Sequence, residues 1–377
     1  MRDPFRPSFG TSPPELVGRD AELDAMADAL DGPPGDLGRA TMYTGARGVG
    51  KTVMLNAAED LARERGWLVA TVTAGDAMLD ALVREELPKT AARLETSALE
   101  RRVSGVELPA NLGAVSFDVI EHTPVTLGLR TQIEALSDQL SERGSGLMIS
   151  VDELHGAALP GLRVLTAAVQ HSFREERQVA FVGAGLPAAV SELLADDPLT
   201  FLRRADRHVL GSVDLDEVAD GLRIPMGHAG YQITPSALEA ATHATGGYPF
   251  LIQLIGRGLC RSADNHQIDD DAVSRGVSWA RRRLASLVHA PALQDLSDVD
   301  RTFLVAMAAD DGPARQQDIA GRLNVSATYA SQYRLRLLEA GLIQAVRHGY
   351  VDFAMPYMRE YLREHAVVQA GSPEDSP

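Results

Sequence analysis

Eight residues, Gly45-Ala-Arg-Gly-Val-Gly-Lys-Thr52, carry the strongest chemical signal in the chain. They satisfy the spacing G-x-x-x-x-G-K-[ST] in full. Gly45, Gly48 and Gly50 let the backbone curl so that successive N–H groups, those of Ala46, Arg47 and Val49 among them, point inward at an anion. A helix starting at Lys51 adds its positive end. The Lys51 ammonium is placed to reach the β- and γ-phosphates of a nucleotide, and the Thr52 hydroxyl to ligate Mg²⁺. Roughly a hundred residues later the apolar run Leu147-Met-Ile-Ser-Val ends in Asp152-Glu153. Asp152 would hold Mg²⁺ through water, and Glu153 would polarise an attacking water as general base. The expected ligands are therefore ATP and Mg²⁺, and the expected reaction is hydrolysis of ATP to ADP and phosphate.

These groups work only if the chain positions them. A strand at Ala40–Thr44 precedes the loop, and a helix from Lys51 to about Arg65 follows it with Met54, Leu55, Ala58, Leu61 and Ala62 on one face. Further strands read at Trp67–Thr73, Leu147–Val151, Gln178–Gly183 and Arg207–Val213, with a helix over Gly161–Glu176. Two helices and a short extended piece near Ala114–Ile120 are expected within residues 76–145. Strands alternating with helices imply a parallel sheet with helices on both faces, an α/β P-loop fold. Trp67–Thr73 also fits the ATPase branch that inserts a strand between the phosphate loop and the acidic pair.

The chain has 377 residues, 36 Lys+Arg against 52 Asp+Glu, and a net charge of −16. That length suggests two or three domains, and the acidic balance argues against a general polyanion binder. Only two lysines occur, Lys51 and Lys89, which makes the one in the loop informative. The single cysteine, Cys260, offers no internal disulfide, no apolar run approaches the ~20 residues of a membrane span, and Met1–Gly10 lacks an apolar core. A cytoplasmic protein with no membrane partner is expected.

Residues 1–14 read as an irregular lead, 15–213 as the nucleotide-binding core with a first helix over Glu15–Leu30, and 214–290 as a helical lid. Strand signals stop after residue 213, and His289–Leu296, with Pro291, reads as a linker. Residues 291–366 read as a winged helix-turn-helix: helices at Arg301–Ala309, Gln316–Leu323 and from Ser326 to about Ala340, then a wing at Leu342–Val346 and Tyr350–Phe353. Residues 367–377 read as a disordered tail. The third helix would offer Thr328, Gln332 and Arg336 to a DNA major groove, and Arg347 would meet phosphate from the wing. Residues 296–366 hold eight arginines against nine acids, however, which predicts weak, salt-sensitive binding. Contact with protein rather than duplex DNA is the other reading of this domain.

The box Leu16-Val-Gly-Arg-Asp-Ala-Glu-Leu23, the phosphate loop, Val151-Asp-Glu153 and Gly246-Gly-Tyr-Pro249 together resemble the origin-recognition and Cdc-six-like AAA ATPases and the related STAND ATPases. The resemblance spans about residues 15–260 and implies a C-terminal winged helix. It implies that Val17, Gly18 and Arg19 lie near the adenine and that Gly247–Pro249 sits in the lid over the nucleotide. Pro249 either packs on the base or is simply a first-turn proline. The strand Val179–Gly185 has no polar side chain at its tip where such proteins usually carry a sensor, and Gly246–Phe250 lacks a sensor arginine. Arg203 and Arg204 stand where an arginine finger would, or are surface residues. Nucleotide binding with slow hydrolysis is expected, coupling nucleotide state to DNA. The alternative is a nucleotide-gated switch that holds ADP and assembles with protein partners or further copies of itself.

Overall fold

Ala40–Thr44 is buried along its whole length and forms β1, the strand that delivers the phosphate loop. In the computed structural model the described residues are 4–8, 10, 12, 13, 16–94, 128–156, 159–195, 202–294 and 296–369. The expected extended piece near Ala114–Ile120 lies outside them. Four more strands join β1: β2 (Leu68–Thr73), β3 (Leu147–Asp152), β4 (Val179–Gly185) and β5 (Asp206–Val209), all parallel, in the order β2-β3-β4-β1-β5.

This order corrects one expectation. The strand between the phosphate-loop strand and the acidic strand is β4, pairing Thr44 with Gly185 on one side and Val151 with Gly183 on the other. β2, expected there, lies at the far edge of the sheet. The composition of the two strands agrees with their places. β4 is buried at all seven residues, as a strand covered on both sides must be, whereas β2 exposes Thr71 and Thr73.

Helices cover both faces. Lys51–Glu64 packs one face together with the lid, and Leu129–Ser141 and Leu159–Arg174 pack the other with the helical stretch 78–94. The first helix starts at Asp20, not near residue 15, because Arg19 takes a non-helical N-cap conformation (φ −137°). Its carboxyl end is held by the buried Arg39, which donates to the carbonyls of Ala29 (2.8 Å), Leu30 (3.1 Å) and Gly32 (2.5 Å).

The lid comprises helices Leu215–His228, Pro235–Thr245, Pro249–Ser262 and Asp270–Leu284. A two-stranded pair that the sequence did not suggest, β6 (Gln232–Ile233) with β7 (Gln267–Ile268), clips two of their connections together. The expected linker at 289–296 is instead mostly helical. A π-turn at Ala285–His289 leads directly into a helix at Ala290–Gln294. Pro291 lacks the N–H that a regular helix would need, and the wider turn before it relieves that mismatch. His289 is buried there, and its ring Nε2 donates to the Pro356 carbonyl (3.0 Å), so the junction is packed rather than loose.

The C-terminal unit holds helices Asp298–Ala308, Gln316–Leu323 and Ala327–Glu339 and a sheet of β8 (Ala314–Arg315), β10 (Tyr350–Phe353) and β9 (Ile343–Arg347) in that order. Ser326 caps the third helix by accepting from the Tyr329 N–H (3.2 Å). A further helix, Met358–Gln369, closes the unit and runs through residues 367–369, where a disordered tail was expected. Among the described residues no helix is long and apolar enough to cross a membrane.

Candidate nucleotide-binding site

The loop after β1 turns back on itself with Gly48 at φ +76° and Gly50 at φ +93°, both in the region where a Cβ is strained. Gly50 is the N-cap of Lys51–Glu64, so that helix begins at the lysine of the loop. The Lys51 ammonium donates to the carbonyls of Gly45 (3.0 Å) and Ala46 (2.8 Å). Burial pushes its pKa down to about 8, against the pull of the Glu153 and Asp152 carboxylates. A cation held this way in its own loop gains full charge compensation only when an anion enters.

Opposite it, β3 ends at Asp152. The Thr52 hydroxyl donates to Asp152 Oδ2 (2.8 Å), and Asp152 Oδ1 accepts from the Glu153 N–H (2.8 Å). These are hard oxygen donors of the type Mg²⁺ takes, one from each motif, so the residues present fit that ion. Glu153 is exposed and sits at φ +56°, an uncommon conformation for a residue with a side chain. That local strain turns Glu153 away from the strand direction of Asp152 and gives adjacent carboxylates different surroundings.

A cavity of about 830 Å³ opens over the loop. Gly48, Val49, Gly50, Lys51 and Thr52 line it, as do Arg47, Asp152, Glu153, Val17, Arg19 and Pro249. Arg19 is pinned by donating to the Gly211 carbonyl (2.5 Å), and burial lowers its pKa. Val17 packs on Gly221 of the lid. Pro249 is both the first residue of Pro249–Ser262 and a wall of the cavity, so the two readings of that proline coexist.

Three contacts at or beside this cavity were not singled out from the sequence, although Tyr248 lies in the segment Gly247–Pro249 that the resemblance put in the lid. Tyr248 is buried, and its hydroxyl donates to the Arg47 carbonyl (2.7 Å), tying the lid to the phosphate loop. Arg6, Ser8, Gly10 and Pro13 line the cavity, and Asn56 donates to the Gly10 carbonyl (3.0 Å), so the lead crosses the site. Ala340 and Leu342 reach it from the winged domain, where the Arg47 guanidinium donates to the Ala340 carbonyl (3.3 Å). The tyrosine was present in the Gly-Gly-Tyr-Pro motif; for the other two no local signal exists.

The remaining candidates lie elsewhere. Arg203 donates to the carbonyls of Leu194 (2.6 Å) and Ala195 (3.1 Å), capping the helix Pro187–Ala195, while Arg204 is exposed. Thr328, Gln332, Arg336 and Arg347 are exposed on the winged domain, away from the cavity. Arg336 is already engaged: it pairs with the buried Asp300 (2.8 Å) and stacks on Tyr333 (4.4 Å). Arg347 stacks on Tyr350 (3.9 Å).

Comparison with known proteins places these features. Residues 15–182 match a family model described as AAA ATPase domain, and residues 286–362 match a domain of unknown function, DUF8462. No curated protein matches the sequence. The fold is similar to that of a Walker-type ATPase of Pyrococcus abyssi, at 18% identity and a TM-score of 0.69 over 94% of this chain and 97% of that one. It is also similar to the ORC2 protein of Aeropyrum pernix in its ADPNP-ADP complexes, at 16% identity and a TM-score of 0.57 over 97% and 98% of the two chains.

Proposed function

We propose that this chain, an AAA ATPase of origin-recognition-like fold, binds ATP with Mg²⁺ and hydrolyses it slowly, coupling nucleotide state to the placement of its winged domain. One observation carries the reading: Lys51, Thr52, Asp152 and Glu153 converge at the carboxyl edge of β1 and β3. The amides of Gly45–Thr52 cradle the phosphates and Lys51 transfers its hydrogen bonds from the loop carbonyls to them. Thr52 and Asp152 hold the metal, which when bound neutralises charge on the phosphate oxygens. Glu153 takes the proton of the attacking water, and Val17, Gly18, Arg19 and Pro249 enclose the base.

Slow turnover is supported by what the described residues around the loop lack. The tip of β4 is Gly183-Ala-Gly185, with no side-chain donor. Arg203 is committed to capping a helix, which leaves Arg204 as the exposed candidate for a finger. Coupling is supported by Arg47, whose carbonyl meets the lid through Tyr248 and whose guanidinium meets the winged domain at Ala340. A phosphate that shifts Arg47 acts on both units at once.

Two partners suit the winged domain. Duplex DNA suits its helix-turn-helix layout, with Thr328, Gln332 and Arg347 exposed. A protein partner suits its exposed apolar residues Tyr329, Leu335 and Val346 and the engaged state of Arg336. Mass spectrometry of nucleotide carried through purification, followed by calorimetry with ATP, tests the central claim. Glu153→Gln should leave ATP affinity unchanged and lower turnover by ~10²–10⁴-fold; undiminished turnover removes Glu153 as the base. Retarded migration of duplex DNA at about 50 mM salt, lost in Gln332→Ala/Arg347→Ala, would select the DNA reading, and equal mobility at every salt the protein one.

A further inference from the structure

The lid has a second concave site on its outer surface. Helices Pro249–Ser262 and Asp270–Leu284 pack with their backbones close, a Cβ on Gly258 falling 2.5 Å from the Gly276 carbonyl. Beside this contact Arg257, Arg261 and Arg283 converge with the Trp279 indole around a cavity of about 260 Å³, closed by Pro7, Leu254 and Leu287. The Arg261 guanidinium lies 5.4 Å from the Trp279 ring centroid. Arg261 and Arg283 are exposed, and no carboxylate is among the described residues lining the cavity.

The charge pattern is unusual for this chain. Residues 246–263 and 272–294 hold six arginines and no Asp or Glu, within a protein of net charge −16. The acids of this part of the lid are confined to the connection 264–271. The Arg261 and Arg283 guanidiniums, with no carboxylate among the described residues lining the cavity, repel one another, and an entering anion relieves that repulsion. An indole beside them offers a flat apolar face. Phosphate-binding cations next to a half-buried aromatic such as Trp279 suit an unpaired nucleotide strand, because its phosphates and a base face can be met together. A duplex keeps its bases stacked and cannot insert one into a pocket of this kind.

We propose that the lid cavity binds single-stranded nucleic acid, with backbone phosphates on Arg261 and Arg283 and a base against Trp279. This contact is separate from the winged helix and does not rest on the reading of that domain. It shares a wall with the nucleotide site: Pro7 and Leu287 line the lid cavity, while Arg6, Ser8 and again Leu287 line the ATP cavity. The Phe5 ring, packed on Gly256, anchors that wall to the lid. Any change that ATP makes in strand affinity through this wall is matched by an equal factor in the effect of the strand on ATP.

Fluorescence anisotropy of the full-length protein with a labelled 20-nucleotide oligo-dT, and with the matching dT·dA duplex, tests this. The single strand should bind more tightly than the duplex. Arg261→Ala/Arg283→Ala should reduce the slope of log affinity against log salt by ~1.4, about 0.7 for each lost phosphate contact. Trp279→Ala should weaken binding ~5- to 150-fold, with Trp279→Phe retaining most of it. Calorimetry with ATP must be unchanged in the arginine variant, which establishes that it is folded. Preference for the duplex overturns the proposal. So does loss of binding in Gln332→Ala/Arg347→Ala with the arginine variant unaffected, an outcome that keeps the winged-helix DNA reading. Failure of protein that binds ATP to bind oligo-dT at about 50 mM salt overturns the lid site and leaves the ATP reading intact.

Discussion

Two cations set the phosphate loop and the third helix of the winged domain apart. Lys51 is half-buried with neutral carbonyls as its hydrogen-bond partners, and desolvation holds its pKa down at about 8. Arg336 is half out in solvent, yet its charge is matched by Asp300 and its plane by Tyr333, and the Asp300 hydrogen bond holds its pKa up. Both residue types suit phosphate, but only the first is arranged so that an arriving phosphate supplies what the protein withholds. A cation already paired must give up its partner before it can bind anything else. A positive side chain in the right motif is therefore weak evidence of a ligand until its existing partners are known.

The largest test of this contrast is Lys51→Ala. Removing the ammonium should weaken ATP by ~10²–10³-fold in calorimetry, the cost of leaving buried phosphate charge unpaired. Unchanged affinity would break the comparison at its stronger side. The pH dependence of ATP affinity sharpens it. Bound phosphate raises the Lys51 pKa above its free value of about 8, so binding takes up a proton only above that pH. Affinity should be flat from pH 6 to about 8 and then fall by up to ~10-fold per unit, and a fall on the acid side would contradict the assignment.

Arg336→Ala examines the other cation. It strands Asp300, which is 7% exposed, and should lower the stability of the winged domain by ~1–2 kcal/mol in denaturant unfolding. No loss of stability, together with a loss of duplex binding, would make Arg336 a ligand contact after all. The smallest effect is expected from Tyr248→Phe, which removes one hydrogen bond between lid and loop, worth ~1 kcal/mol. ATP-induced thermal stabilisation should fall by a comparable amount.

The parts of the site that were legible are those whose chemistry is local. The loop Gly45–Thr52 needs its glycines and its lysine at fixed offsets, and β3 needs an apolar run before Asp152, so both could be placed before any fold was known. The same holds for Ser326, which caps the helix that it precedes, and for Gln316–Leu323, observed with the bounds expected of it. The register of β4 between β1 and β3 was not legible in this way, although its unbroken apolar run distinguished it from β2. The helical junction at 289–294 was misread because Pro291 usually interrupts a helix, and a π-turn that absorbs it has no sequence rule of comparable strength.

Residue order along the chain settled the shape of the Gly45–Thr52 loop, because backbone curvature, helix start and ammonium all arise within eight consecutive residues. Packing settled everything that depends on who arrives at the site from a distance. Arg6, Ser8, Gly10 and Pro13 of the lead, Tyr248 and Ala340 come from segments separated by up to some three hundred residues. They meet there because the lid shares an apolar cluster with the core, while the winged domain, with an apolar core of its own, packs on the junction at Val288 and Ala292; that approach, rather than any local pattern, brings both units to Arg47.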